Sequence, residues 1–191
     1  PQQKIINRQN IHDGTLEKIP SMAWGFVPLT KYQGGGPEAV LEPLSEHLND
    51  YEQLMMQYYG AGVQACYRGP RLYDTETTRQ MVAKTILWYK KYRNILNADM
   101  IQLRRADGRD WDGWMHVNPA LAQKGLMMLF NPTQVPITRT ISLPLYYTGL
   151  SKIAIIKDAK GVSKTYTLNR DYTINFTFTI AADSYSWFLI E

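Results

Sequence analysis

The sequence has few residues that could form disulfides or metal clusters. Its 191 residues include one cysteine, Cys66, and three histidines, His12, His47 and His116. A single cysteine cannot close an intramolecular disulfide, and histidines this far apart match no ligand spacing. Cys66 lies among small residues of a predicted strand, which favours a packed thiol over a nucleophile. We therefore expect no metal site and no cofactor in this chain.

Long apolar runs and dense positive charge are also missing. No apolar run reaches the roughly 18 residues of a membrane-spanning helix. The net charge is only +4, and the basic residues are scattered or gather at the end of one predicted helix. Nucleic-acid binding would require a denser basic stripe, so we expect neither nucleic acid nor a membrane as a partner. A hydrophobic content of 45% and a charged content of 20% indicate a globular chain with a core.

The first half of the chain alternates between strand and helix signals. Residues 1–20 are polar and irregular, whereas the apolar run at 22–27 between two prolines predicts a buried parallel strand. Apolar residues then recur at helical spacing over 43–59. A second strand follows at 63–67, and a second helix runs from Asp74 to about residue 97. This order implies parallel strands joined by helical crossovers.

The pattern changes to a period of two after residue 98. Glycine, proline, asparagine and aspartate separate eight candidate strands, at 100–104, 111–117, 125–130, 138–143, 153–157, 165–168, 172–179 and 186–190. Short alternating strands in such density predict an antiparallel β-sandwich. We therefore expect an α/β part over residues 1–98 followed by an all-β part over 99–191, with no flexible linker between them.

Two loops follow the predicted strands of the α/β part, at residues 30–37 and 68–74. In a βα barrel, the loops that leave the carboxyl ends of the strands carry the function. Hydroxyls, aromatic rings and guanidinium groups suit a hydroxyl-rich or anionic ligand. The predicted ligand-contacting residues on these loops are Tyr32, Tyr67, Arg68, Arg71 and Tyr73. Alternatively, Arg68 and Arg71 pair with carboxylates of barrel segments outside this chain.

Four aspartates at which chemistry could occur also have structural explanations. Asp74 precedes the second helix, where an N-cap residue is expected. Asp107, Asp110 and Asp112 share one loop, but they lack the full spacing and the terminal glutamate of a calcium loop, which favours a structural turn. The sequence also lacks the serine nucleophile elbow and the phosphate-binding glycine loop. No catalytic residue can be assigned in this chain.

Three segments carry a resemblance to a known family. They are Leu-Trp-Tyr-Lys-Lys-Tyr-Arg-Asn-Ile-Leu at 87–96, Gly-Leu-Met-Met-Leu-Phe-Asn-Pro at 125–132 and Leu-Pro-Leu-Tyr-Tyr-Thr-Gly at 143–149. From about residue 22 onward, the chain resembles the C-terminal region of large bacterial glycoside hydrolases of the α-galactosidase superfamily, which are common in polysaccharide-degrading gut Bacteroidetes. The resemblance implies the last two βα units of a (β/α)8 barrel and a following β-sandwich. It further implies catalytic carboxylates outside this chain, and a periplasmic or extracellular bacterial location.

The leading hypothesis is therefore the C-terminal part of a glycoside hydrolase, inactive alone, which completes the barrel rim. Its partners would be carbohydrate and the remainder of the same polypeptide, because the first residues contain no apolar signal core and read as the interior of a longer chain. The alternative is a non-catalytic carbohydrate-binding or interaction module. Its aromatic platform would consist of Trp111, Trp114, Tyr146, Tyr147 and Trp187. A sandwich that only braces the barrel is a third possibility.

Overall fold

The computed structural model describes residues 2–17, 24–29 and 41–191. The first part contains α1 (Gln2–Glu17), β1 (Trp24–Pro28), a 3-10 turn (Leu44–His47), α2 (Leu48–Gly60), β2 (Gln64–Arg68) and α3 (Glu76–Leu96). The second part contains β3 (Asp99–Arg104), β4 (Asp112–Val117), β5 (Gly125–Asn131), β6 (Ile137–Pro144), β7 (Ile153–Asp158), β8 (Ser163–Thr167), β9 (Thr173–Ile180) and β10 (Ser184–Ile190). The predicted order of α/β followed by all-β is confirmed.

Strands β1 and β2 form a parallel pair, as the sequence predicts. Their register runs from Trp24 opposite Gln64 to Pro28 opposite Arg68. The N–H of Leu29 extends the ladder by donating to the carbonyl of Arg68 at 2.8 Å. Helix α2 packs closely on this pair, because a Cβ added to Gly25 would lie 2.1 Å from a ring carbon of Tyr58.

Helix α1 corrects the prediction that residues 1–20 are irregular. Its inward-facing residues include Lys4 and Arg8, so the apolar periodicity that identifies most helices is absent. Lys4 bonds to Asp183 at 2.7 Å, and Arg8 donates two hydrogen bonds to Asp112, at 2.6 and 2.9 Å. These two tertiary ion pairs, together with the burial of Ile11, therefore hold this helix.

Helix α3 begins one residue later than predicted. Its N-cap is Thr75, whose side chain accepts from the N–H of Thr78 in a capping box, so the assignment of Asp74 as the cap was wrong. The Asp74 carboxylate accepts instead from the Thr78 hydroxyl and from Ser45. It thus joins the start of α3 to the segment that precedes α2.

All eight strands predicted after residue 98 are present, with ends shifted by a few residues. Six form one sheet in the order β3-β4-β5-β10-β7-β8, while β6 and β9 form a separate antiparallel pair. Every residue of β4 and β5 is buried, because both faces of these strands are covered. One face, with Met115 and Met127, meets β6 and β9, and the other, with Trp114, belongs to the buried cluster that contains α2 and α3.

The end of α2 is fixed by contacts with β4. The carbonyl oxygen of Gly60 accepts hydrogen bonds from the Trp114 indole at 2.8 Å and from the His116 ring at 2.7 Å. Gly62 then turns the chain with a φ of +67°, and a Cβ at this position would lie 2.1 Å from the carbonyl oxygen of Leu96. The turn from α2 into β2 therefore requires glycine.

Replacing Gly62 by alanine should destabilise the fold far more than the same change at Gly161. Both glycines have positive φ, which costs alanine about 1–2 kcal/mol. Only Gly62 adds a backbone overlap, since nothing lies within 4 Å of a Cβ at Gly161. We expect Gly62→Ala to lower the free energy of unfolding by about 3 kcal/mol or more. Urea denaturation tests this, and equal losses for the two variants would contradict it.

Stability should fall in mild acid because of His116. Desolvation lowers the pKa of this fully buried imidazole below its ordinary 6.5, although the carbonyls of Gly60 and Ala98 oppose the shift. The unfolded state therefore takes up a proton at a higher pH than the folded state. The contribution of His116 to the free energy of unfolding is complete above pH 6.5, the pKa in the unfolded state. It is lost as the pH falls through the pKa of His116 in the folded state. We expect a loss of at most about 1.4 kcal/mol between about pH 7.5 and pH 5.5, the free energy of one pH unit below the unfolded pKa.

The measurement is chemical denaturation at a series of pH values for the wild type and for His116→Gln. The variant should be less stable at neutral pH, because it repacks a buried site, but its stability should depend less on pH over the same interval. Identical slopes for the two proteins would refute the role of His116.

Candidate functional site

The candidate site lies at the carboxyl ends of β1 and β2. The loop of residues 69–75 leaves β2 at this end and leads into α3. The loop that was predicted to leave β1 lies outside the described residues, and Tyr32 lies there with it. The structure therefore locates Tyr67, Arg68, Arg71 and Tyr73 of the predicted set.

Tyr67 and Arg68 lie on opposite faces of β2, because successive side chains alternate along a strand. Tyr67 faces the helices, where its hydroxyl lies 2.8 Å from that of Tyr59 and its ring packs on the buried core. Burial, followed by the hydrogen bond with Tyr59, raises the pKa of Tyr67. Arg68 shares the other face with Gln64 and Cys66. The structure thus separates Tyr67 from Arg68 rather than bringing them together.

The face that carries Arg68 is not covered by α2 or α3. Cys66 on this face is partly exposed, which corrects the expectation of a fully packed thiol. Gln64 at the start of the strand is exposed. Gln64 was not singled out from the sequence, and Cys66 was expected to be packed, because the strand itself does not encode which of its faces the helices cover.

Arg71 is held by a carboxylate of its own chain. Its Nε and one terminal nitrogen donate to the two carboxylate oxygens of Glu42, at 2.9 and 3.0 Å. The hydrogen bond to Glu42, together with its charge, raises the pKa of Arg71. This fork-to-fork geometry fixes the guanidinium plane and leaves its remaining N–H groups on the half-exposed side of the loop. Glu42 has no signal in the sequence, because its partner Arg71 lies 29 residues away.

Tyr73 and Asp74 complete the loop and have different surroundings. Tyr73 is 47% exposed, and no hydrogen bond involves its hydroxyl among the described residues. Desolvation opposes the shift, but the hydrogen bonds from Ser45 and Thr78 hold the pKa of Asp74 below its ordinary value. An ionised carboxylate that is occupied in this way is a poor proton donor. Tyr73 is therefore open to a ligand, whereas Asp74 shapes the loop.

The three aspartates of the 107–112 loop do not converge on one point. Each pairs with a different arginine: Asp107 with Arg104 at 2.6 Å, Asp110 with Arg139 at 3.1 Å, and Asp112 with Arg8 at 2.6 Å. No group of three potential metal ligands occurs within residues 2–17, 24–29 and 41–191. The loop thus has the structural role that its sequence predicts.

A glycosidase requires two carboxyl groups that face each other across the sugar, about 5–10 Å apart. Near the candidate site, Glu42 is bound by Arg71 and Asp74 by Ser45 and Thr78. Glu76 is bound by Arg79, which lowers the pKa of Glu76 to about 2. The carboxylates described at this end of the sheet therefore serve structural contacts, and none is assigned a catalytic role.

The aromatic platform of the alternative hypothesis is not formed. Trp111 and Trp114 are buried, with 8% and 2% of their surface exposed. Trp187 is partly buried against Trp88 and Tyr92. Only Tyr146 and Tyr147 are well exposed, at 62% and 63%. The prediction that these five rings form one exposed surface was therefore wrong.

Comparison with known proteins finds similarity in structure alone. No protein-family model and no curated protein matches the sequence. Among solved structures, a family 27 β-L-arabinopyranosidase from Geobacillus stearothermophilus, in complex with arabinose, matches 97% of this chain with 11% identity and a TM-score of 0.57. A putative α-N-acetylgalactosaminidase from Bacillus halodurans matches 97% with 14% identity and a TM-score of 0.56.

The galactosidase domain of an α-galactosidase–sucrose kinase matches 98% of this chain with 20% identity and a TM-score of 0.57. The chain covers only 43%, 43% and 25% of the three solved chains, respectively, which is less than half of each. At these low identities, the TM-scores of 0.57, 0.56 and 0.57 show a shared fold alone, and the similar structures are glycoside hydrolases. Within the described part of the chain, no helix has the length and apolar character needed to cross a membrane.

The different surroundings of Tyr67, whose hydroxyl meets Tyr59, and of the exposed Tyr73 can be tested by removing single hydroxyls. Tyr67→Phe should lower the free energy of unfolding by about 1 kcal/mol, because the Tyr59 hydroxyl then loses its partner in a half-buried site. Tyr73→Phe is the matched control and should leave stability unchanged, since its hydroxyl is exposed. Thermal and urea denaturation measure both. A larger loss for Tyr73→Phe than for Tyr67→Phe would contradict this placement.

Proposed function

We propose that this chain is the C-terminal part of a glycoside hydrolase that acts on oligo- or polysaccharides. Residues up to about 98 would supply the last two βα units of a (β/α)8 barrel, and residues 99–191 would brace it as a β-sandwich. The observation that carries the proposal is the parallel pair β1–β2, whose one face packs on helices while the other carries Gln64, Cys66 and Arg68.

Physical reasoning supports a larger sheet around this pair. Parallel sheets are covered on both faces in nearly all proteins, and open strand edges invite unwanted pairing. Two parallel strands whose second face is covered by neither α2 nor α3 are therefore explained if further strands of the same polypeptide continue the sheet. In a closed barrel, the face with Cys66 would line the interior and Arg68 would reach the rim.

The comparisons support the same proposal. Nearly all of this chain matches less than half of an arabinopyranosidase and of a putative α-N-acetylgalactosaminidase. Under this proposal the missing length would hold the catalytic carboxylates. We place Arg68, Arg71, Tyr73 and the undescribed Tyr32 on the sugar-facing rim, while Tyr67 supports the rim from the helix side. A periplasmic or extracellular bacterial location is part of the proposal.

Activity assays test the proposal directly. The full-length protein that contains this chain should hydrolyse at least one member of a panel of aryl α- and β-glycosides. The isolated 191 residues should hydrolyse none, because they lack the paired carboxylates. A full-length protein without turnover on the panel, or turnover by the isolated chain, would overturn the proposal. Glycan binding that Tyr146→Ala abolishes, without turnover, would favour the binding module.

Arg71 and Arg79 form a matched pair for testing the rim. Each donates a two-pronged hydrogen bond to a glutamate, Arg71 to Glu42 and Arg79 to Glu76, but only Arg71 lies on the candidate loop. In the full-length enzyme, Arg71→Met should raise KM by about tenfold, since a sugar hydroxyl or carboxylate loses a charged donor. Arg79→Met should leave KM unchanged. Equal effects of both variants would exclude a specific role for Arg71.

A further inference from the structure

A cleft with a volume of about 470 Å³ opens between the helices and the sandwich. Glu52 of α2, Lys84 and Trp88 of α3, Trp187 of β10 and Lys160 of the turn after β7 line it. None of its lining residues belongs to β1, β2 or the loop after β2, so it is separate from the candidate rim. Its volume falls within the roughly 300–1,000 Å³ typical of small-ligand sites.

The cleft exists because β7 leaves β10 early. The two strands pair only over the last residues of β10, where Glu191 and Ile155 exchange two backbone hydrogen bonds, at 2.9 and 2.8 Å. Alternation along an antiparallel strand directs the N–H and C=O groups of Trp187 and Tyr185 to the same side. The pairing of Phe188 with Asp158 brings the N–H of Ala159 to the C=O of Trp187, whereas no described residue of β7 is paired with Tyr185. The wall of the cleft therefore presents main-chain donors and acceptors.

A cluster of aromatic rings forms another wall. The ring centroids of Trp88 and Trp187 lie 5.7 Å apart, and Tyr92 lies 5.3 Å from Trp187, all in tilted or edge-to-face contact. Each of the three rings is only partly buried. Such rings offer a rigid apolar surface that suits the C–H face of a sugar ring.

The charged side chains that line the first cleft are Lys84, Lys160 and Glu52, which leaves a net charge of +1. A second cleft of about 370 Å³ adjoins the first at Lys160 and Trp187 and adds Lys91. The carboxylates that line the two clefts are engaged: Glu52 accepts from Tyr185 at 2.7 Å, Asp158 accepts the N–H groups of Lys160 and Val162, and Glu191 lies 4.0 Å from Lys157. By contrast, Lys84, Lys91 and Lys160 form no salt bridge with a carboxylate among the residues described.

We propose that this cleft binds a saccharide that carries a carboxylate, such as a uronate. The rings of Trp88 and Trp187 would pack against the sugar, and Lys84 and Lys160 would pair with its carboxylate. The backbone groups of Tyr185 would bond to its hydroxyls. A neutral sugar would leave the lysines unbalanced, and a small anion would leave the aromatic wall uncovered. The site goes beyond the proposed hydrolase activity, since it shares no residue with the rim.

Two methyl glycosides that differ only in the carboxylate provide the test. Calorimetric titration of the full-length protein should give a millimolar Kd for methyl glucuronide and at least roughly tenfold weaker binding of methyl glucoside. Acetate alone should not bind in this range. Lys84→Met should weaken glucuronide binding about fivefold and leave glucoside binding unchanged. Lys90→Met, an exposed lysine of the same helix outside both clefts, is the control and should bind as the wild type.

Equal affinity for the two glycosides, no binding of either, or unaltered glucuronide affinity in Lys84→Met would overturn the proposal. Trp187→Ala should abolish binding of both glycosides. If Trp187→Ala does not fold, Lys84→Met supplies an independent readout. Hydrolysis of neutral aryl-glycosides by Lys84→Met should match the wild type. Failure of the hydrolase proposal therefore appears in activity, and failure of the cleft proposal appears in binding.

Discussion

The carbonyl oxygen of Gly60 joins the end of α2 to strand β4 of the sandwich. The last carbonyls of a helix have no partner within the helix. A buried carbonyl without any hydrogen bond would destabilise the fold by about 1–3 kcal/mol. Here two side chains of one strand, Trp114 and His116, donate to the same oxygen. This contact fixes the end of α2 against β4. Because α2 carries one wall of the cleft and precedes the β2 strand of the candidate site, both depend on this anchor.

Elements whose pattern is local could be predicted from the sequence, and α1 could not. The eight strands of the sandwich alternate between buried and exposed positions or are separated by turn residues, so period and punctuation identify them. In α1, Lys4 and Arg8 are buried, although from the sequence alone such charged residues are expected to be exposed to solvent. Their partners, Asp183 and Asp112, lie 179 and 104 residues away in the chain. Only the folded structure shows that these charges are compensated.

Only the part of the candidate site that follows from local sequence patterns could be predicted. Its position at the carboxyl ends of two parallel strands followed from the order of helices and strands. The direction of Tyr67 did not, because it depends on which face of β2 the helices cover. The cleft between α3 and β10 was missed entirely. Trp88 and Trp187 are 99 positions apart, and each has the appearance of a core residue in its own element.

The two-sided burial of β4 and β5 limits how this protein could be recombined. A sandwich separated from the helices would expose Trp114, Met128 and Phe130 to water, since these side chains belong to the core shared with α2 and α3. Exchange of the sandwich with another protein would therefore have to carry α2 and α3 along. The transferable unit would begin before α2, even though the change in secondary structure falls after α3. Insertions should be better tolerated at the outer turns of the sandwich than at the junction where β4 and β5 pack against α2 and α3.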